Sequence, residues 1–135
     1  MEISGLKDDY HVWVSFMDAE VFMRYVSIDE LRQILKKATK TSWDRKHQKA
    51  DELDPVEANR LLGRACVRDW KGITMEGKEY PYSPENCDFL MSKWMEFSRF
   101  VNETCTDLQA LQDAEKERKT KNSLLTSGQD ETIRV

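Results

Sequence analysis

Two stretches near the start of the chain alternate in polarity. Val12, Val14 and Phe16 interleave with His11, Trp13 and Ser15. After Asp18-Ala19, Val21, Met23 and Tyr25 interleave with Phe22, Arg24 and Val26. A period of two, with β-formers on either side of a short polar break, predicts a β-hairpin over residues 10–26. Asp-Ala is a weak turn signal beside Asn-Gly. Apolar groups lie on both faces, and a lone hairpin is marginal in water. This one is therefore expected to rest on helices or on another chain's strands.

The period changes at Ser27-Ile28-Asp29-Glu30, which has the form of a capping box. Leu31, Ile34, Leu35 and Ala38 follow at helical spacing, predicting a helix over about 28–39. Residues 41–53 are polar without a clear period. They read as a surface connector with at most a helical turn, and Trp43 is expected to pack back on the domain. At Asp54-Pro55-Val56-Glu57 an Asp cap, a Pro at the first helical position and a Glu in the first turn start the next helix. Its inward stripe is Leu61, Leu62, Ala65 and Cys66. It is expected to end near Trp70, with Gly72 as a left-handed stop.

Ser83-Pro84-Glu85 repeats the cap logic. Cys87, Leu90, Met91, Trp94, Phe97, Val101 and Cys105 then form one stripe on a long helix, widened by Phe89 and Phe100. So wide an apolar face fits central core or a partner surface. Thr106-Asp107-Leu108-Gln109 resembles a second capping box, where the helix bends or restarts before Leu108, Leu111 and Ala114 continue it. The last residues lack a period and read as a frayed tail. The expected architecture is α+β: an N-terminal β-hairpin packed on a mostly helical body of three to four helices. Residues 1–115 form a single domain and residues 116–135 a polar tail, partly disordered.

Between the second and third helices lies "WKGITMEGKEYPYSPEN", with two glycines, two prolines and three large aromatics. Met75-Glu76-Gly77-Lys78 suits a tight turn with positive φ at Gly77. Tyr80 and Tyr82 flank Pro81, which holds the segment extended. Rings placed this way anchor a helix-to-helix crossing; they build shape rather than chemistry.

Composition narrows the function classes. With 21 Lys and Arg against 25 Asp and Glu the net charge is -4, which argues against a general nucleic-acid binder. The 135 residues suffice for a core without metals or disulfides. Three cysteines without a CxxC spacing suit reduced thiols in a cytoplasmic setting. The start, "MEISGLKDDYHVWV", reads as no secretory signal, and no apolar stretch approaches a membrane span.

Reactive constellations are scarce. His11 and His47 have no partner at ligand spacing, so neither a metal site nor a catalytic pair is expected. Cys66, Cys87 and Cys105 sit on helix stripes as small hydrophobes. Cys87, in the first turn after Ser83, is the mild exception. Gly77-Lys78 is followed by Glu79 rather than by Ser or Thr opening a helix, so no phosphate loop is formed. Lys40, Arg45, Lys46, His47 and Lys49 make a small basic patch interrupted by Asp44, Asp51 and Glu52, which reads as a solvated loop. The expectation is no enzyme, no cofactor and no bound metal.

The connector also carries a resemblance. Val67-Arg68-Asp69-Trp70-Lys71-Gly72, the step from Gly77 through Pro81, and the helix start Ser83-Pro84-Glu85-Asn86 resemble segments of the phage tail assembly chaperones. The later "FVNETCTDLQAL" resembles the C-terminal helix of related phage and prophage proteins, so the likeness covers roughly residues 60–122. It implies a non-enzymatic protein that coats the tape measure protein, keeps its long helices from aggregating and recruits tail tube subunits. It also implies work in the bacterial host cytoplasm, absence from the finished virion and, in some copies, a frameshifted extension. Self-association along the client is a further expectation; nucleic acid and membrane are not expected partners. The surface residues assigned to protein binding are Trp13, Phe22, Phe89, Trp94, Phe97 and Phe100. The alternative is a structural tail component, a completion or tube-associated protein.

Overall fold

A computed structural model describes residues 10–43, 46 and 48–134, with side chains through Lys121. The chain is α+β. Strands β1 (His11–Phe16) and β2 (Ala19–Arg24) pair antiparallel in the expected hairpin, with Trp13 opposite Phe22 and Val14 opposite Val21. The two-residue loop is Met17-Asp18, and Met17 adopts a positive φ of 55°, a region seldom visited outside Gly, Asn and Asp. Helix α1 (Ile28–Lys37) follows, with the Ser27 hydroxyl accepting from the Glu30 N–H at 3.2 Å. The Glu30 carboxylate pairs with Arg24, tying the end of β2 to the first turn of α1.

The polar segment after α1 is not a connector. Strands β3 (Thr39–Trp43) and β4 (Lys49–Leu53) form a second hairpin, closed at its base by Thr39 opposite Leu53. Thr41 donates to Asp51 across the ladder at 2.9 Å. Alternation is invisible in the sequence because both faces are wet: all of β4 is exposed. Trp43 does not pack back on the domain; it is 67% exposed. Arg45 and His47 of the expected basic patch, and Asp44 that interrupts it, lie outside the described residues.

Helix α2 (Pro55–Cys66) begins as expected. The Asp54 carboxylate accepts from the Val56 and Glu57 N–H groups. It ends four residues earlier than expected, and Val67–Lys71 is a strand, β5, antiparallel to β2 at the far edge of a sheet ordered β1-β2-β5. The helical appearance of this segment has a specific cause. Val21 faces Trp70 and Met23 faces Val67, with a register shift between Phe22 and Met23 that leaves Arg68 as an extra residue. The bulge lets Val67 and Trp70, three positions apart, both point into the core. Gly72 has the expected positive φ of 83°, but it closes a strand and not a helix. A Cβ there would approach the Ala19 backbone to 3.3 Å.

A short hairpin, β6 (Thr74–Met75) and β7 (Lys78–Glu79), fills the next turn, with Glu76 and Gly77 both at positive φ. The expected long helix is two: α3 (Pro84–Lys93) and α4 (Met95–Thr104) meet at Trp94, whose extended backbone ends one and starts the other. Helix α5 (Leu108–Arg134) restarts where expected, capped by Asp107 through the Ala110 N–H at 3.0 Å. Five helices stand among the described residues, where the sequence pattern predicts three to four.

The core lies between the inner face of the sheet and helices α2, α3 and α4. Val12, Val21, Met23, Val67 and Trp70 meet Leu62, Cys66, Leu90, Met91, Phe97 and Val101 there. Helices α2 and α3 approach closely at Gly63, where an added Cβ would sit 2.6 Å from Met91 Cγ. Arg64 and Asp88 join the same two helices by a bidentate ion pair at 2.9 and 2.7 Å. Leu111 of α5 is buried, and the helix runs beside the β1 edge, shielding a strand that otherwise offers unpaired backbone groups.

Candidate functional site

The rings of the connector lock together behind one wall of a concavity, to which Tyr80 contributes directly. The Trp70 indole N–H donates to the Tyr80 carbonyl at 2.7 Å, and the Tyr82 hydroxyl donates to the Val67 carbonyl at 3.0 Å. The second bond occupies a carbonyl of edge strand β5. Trp70 and Tyr80 lie parallel with centroids 6.2 Å apart, and Tyr82 meets the Trp70 ring edge-on at 5.1 Å. The Tyr80 N–H donates to the Ile73 carbonyl at 2.8 Å, closing the base of the β6–β7 hairpin. The Ser83 hydroxyl accepts from the Asn86 N–H, and the Asn86 amide donates to the Pro81 carbonyl, which fixes the start of α3 against the Tyr-Pro-Tyr segment.

Opposite stands the elbow between α3 and α4. Trp94 stacks on Phe97 at 5.9 Å and meets Phe16 edge-on at 5.3 Å, so the bend is held by rings from the sheet and from α4. Between hairpin and elbow opens a concavity of about 340 Å³ lined by Ile73, Thr74, Met75, Tyr80, Phe89, Leu90, Lys93 and Trp94. Its walls are mostly apolar, and Phe89 and Met75 remain 44% and 43% exposed. Exposed aromatic and thioether groups around a dent are what a protein partner's side chain would fill.

The structure divides the six residues assigned to binding from the sequence. Phe89 and Trp94 come together in this concavity. Phe97 does not reach any surface: it is 0% exposed and touches Phe16, Trp70 and Trp94. The stripe that carries it faces the sheet. Phe100 is half-buried against Phe16 at 4.7 Å. Trp13 and Phe22 sit on the outer face of the sheet, packed on each other at 5.0 Å, with Lys71 Nζ 4.4 Å from the Trp13 ring centre. Arg118 of α5 lies 5.7 Å from the same ring and pairs with Glu20 at 2.9 Å. Met75 and Ile73 also line the concavity, and sequence reasoning does not find them, because a residue beside a tight turn carries no periodicity. The signal available is the apolar pair Ile73 and Met75 between Gly72 and Gly77.

The titratable groups with the largest shifts are turned away from reactivity. Burial raises the Cys87 thiol to about 12, with the Asp88 carboxylate adding to the effect. Burial also raises Cys66 well above the ordinary thiol range, and the neighbouring Cys105 contributes in the same direction. Protonated, buried thiols are poor nucleophiles. The Cys87 shift has a consequence for stability. The unfolded thiol ionises near 9.0 and the folded one near 12, so the folded chain binds the proton more tightly. Its contribution is complete below pH 9 and is lost as pH rises from about 9 towards 12. Denaturant melts at about pH 8 and about pH 10.5 should show the wild type losing more stability than Cys87→Ala over that interval. Among the described residues no group of three or more His, Cys, Asp or Glu side chains is placed to hold a metal ion. Among them, too, no helix is long and apolar enough to cross a membrane.

The fold is α+β, with the exposed Phe89 ring beside half-buried Tyr80 and Trp94 at the helix elbow. The sequence model of the family described as YdaY prophage protein matches residues 27–122, from the cap of α1 to the middle of α5, and the chain belongs to that family. Strands β1 and β2 precede the matched region. No curated protein and no solved structure matches the chain.

Proposed function

We propose that this prophage protein is a tail assembly chaperone that binds the tape measure protein, keeps it soluble and recruits tail tube subunits. The observation that carries the reading is the apolar concavity between the β6–β7 hairpin and the α3–α4 elbow. A tape measure protein is a long helical chain whose apolar stripe aggregates when unpaired. A dent flanked by exposed Phe89 and Met75 accepts an anchor side chain from such a stripe by the helix-in-groove mode. The family's prophage origin and the connector motifs from Trp70 to Asn86 support the same reading. The protein then acts in the bacterial host cytoplasm without chemistry and is left out of the finished particle.

The test is co-expression with the tape measure protein of the same prophage. The soluble fraction of that partner should rise several-fold, and the two should co-purify. Unchanged solubility and no co-purification would end the proposal. Stoichiometric recovery of the chain in purified particles would instead mark it as a structural tail component.

A further inference from the structure

One side chain gives the concavity a sign. Of the eight residues that line it, Lys93 alone carries a formal charge at neutral pH. Among the described residues it forms no ion pair, whereas the arginines of α2 are committed to Glu57 and Asp88. The adjoining β6–β7 hairpin carries Glu76 in its turn, Lys78 opposite Met75 and Glu79 opposite Thr74, a balance of one negative charge, and none of the three lines the concavity. Within the lining itself, the charge that a ligand meets is therefore the Lys93 ammonium beside apolar walls.

Resting on the reading of this concavity as the client site, we infer that it selects a helix with a carboxylate one turn away from the apolar anchor. Lys93 follows Leu90 by three residues on α3, one helical turn along the wall that Phe89, Leu90 and Trp94 share. An anchor side chain seated against that wall has neighbours on its own helix about 5–6 Å away, at three and four residues. A Glu or Asp there meets an ammonium at the edge of a low-dielectric surface. A Lys at that position meets like charge and is rejected. Lys93 also lies in the last turn of α3, where a cation suits the negative helix end. That role concerns stability of the helix and gives no preference among ligands, which separates the two.

The experiment uses the full chain and two designed amphipathic helical peptides of about 20 residues, long enough to hold helical turns on either side of the anchor. They are identical except for Glu or Lys four residues after a central Leu. Binding is followed by tryptophan fluorescence and calorimetry. The wild type should bind the Glu peptide about five- to tenfold tighter than the Lys peptide at low salt, and the gap should narrow as salt rises. Lys93→Glu should invert the order while its thermal melt stays close to wild type; Lys93→Met should bind both peptides alike. Equal affinity of the wild type for the two peptides would overturn the charge selection and leave the concavity as a client site. Failure of both peptides to bind would overturn the client site and the selection together.

Discussion

Replacing Phe97 with Ala should cost about 3–5 kcal/mol of folding stability, the range for a fully buried ring. The ring has no solvent exposure and meets Phe16 and Trp70 edge-on while stacking on Trp94. It therefore joins the sheet, the connector and the α3–α4 elbow at one point. Removing it leaves a void between three elements that cannot close independently, because Trp70 is tied to Tyr80 and Trp94 is set by the bend. Native domains are stable by only about 5–15 kcal/mol, so the variant should unfold at a far lower urea concentration. Phe97→Leu keeps most of the volume and should lose less than half as much. A loss below about 1 kcal/mol for Phe97→Ala would show that the ring is not the junction described.

Phe89→Asp should have the opposite profile: little change in stability and a large loss of partner binding. Phe89 is nearly half exposed, and the ring beside it is Tyr80 at 6.4 Å. Its stripe neighbour Leu90 is buried and holds α3 in place. A charged group at Phe89 stays solvated in the free protein, so stability in urea should change by no more than about 1 kcal/mol. In a complex the same carboxylate would be driven into an apolar contact. Anchor residues of this kind are typically worth about 2 kcal/mol or more, roughly thirtyfold in affinity. The two variants thus separate the aromatic cluster that holds the fold from the exposed ring that the proposal assigns to partner binding.

The sequence distinguishes these two roles only in part. The starts of α1, α2 and α3 are legible because caps are local chemistry: Ser27, Asp54 and Ser83 each accept from a backbone N–H two or three residues on. Helix α5 starts as expected but on Asp107, one residue after the Thr106 that opens the capping-box pattern. The first hairpin is legible because one of its faces is buried, which enforces alternation. Strand β5 is hidden by its bulge, which gives a strand the i, i+3 spacing of a helix. Hairpin β3–β4 is hidden because neither face is buried, so no hydrophobic period is imposed. The break at Trp94 is hidden because the stripe continues across it. The bend is made by ring packing against Phe16 and Phe97 rather than by Gly or Pro. The same break explains the site. On the pattern of the stripe, Phe89 and Trp94 belong to one helix face with Phe97. The elbow instead turns α4 into the core and leaves the end of α3 to shape a concavity with the β6–β7 hairpin.

The most direct measurement compares how much tape measure protein is retained by the wild-type chain, Phe89→Asp and Trp13→Ala, each immobilised at equal amount and shown to be folded. Retention is expected for the wild type and for Trp13→Ala, whose ring lies on the outer face of the sheet, and loss of retention for Phe89→Asp. Full retention by Phe89→Asp, or its loss in Trp13→Ala alone, would contradict a client site at the α3–α4 elbow.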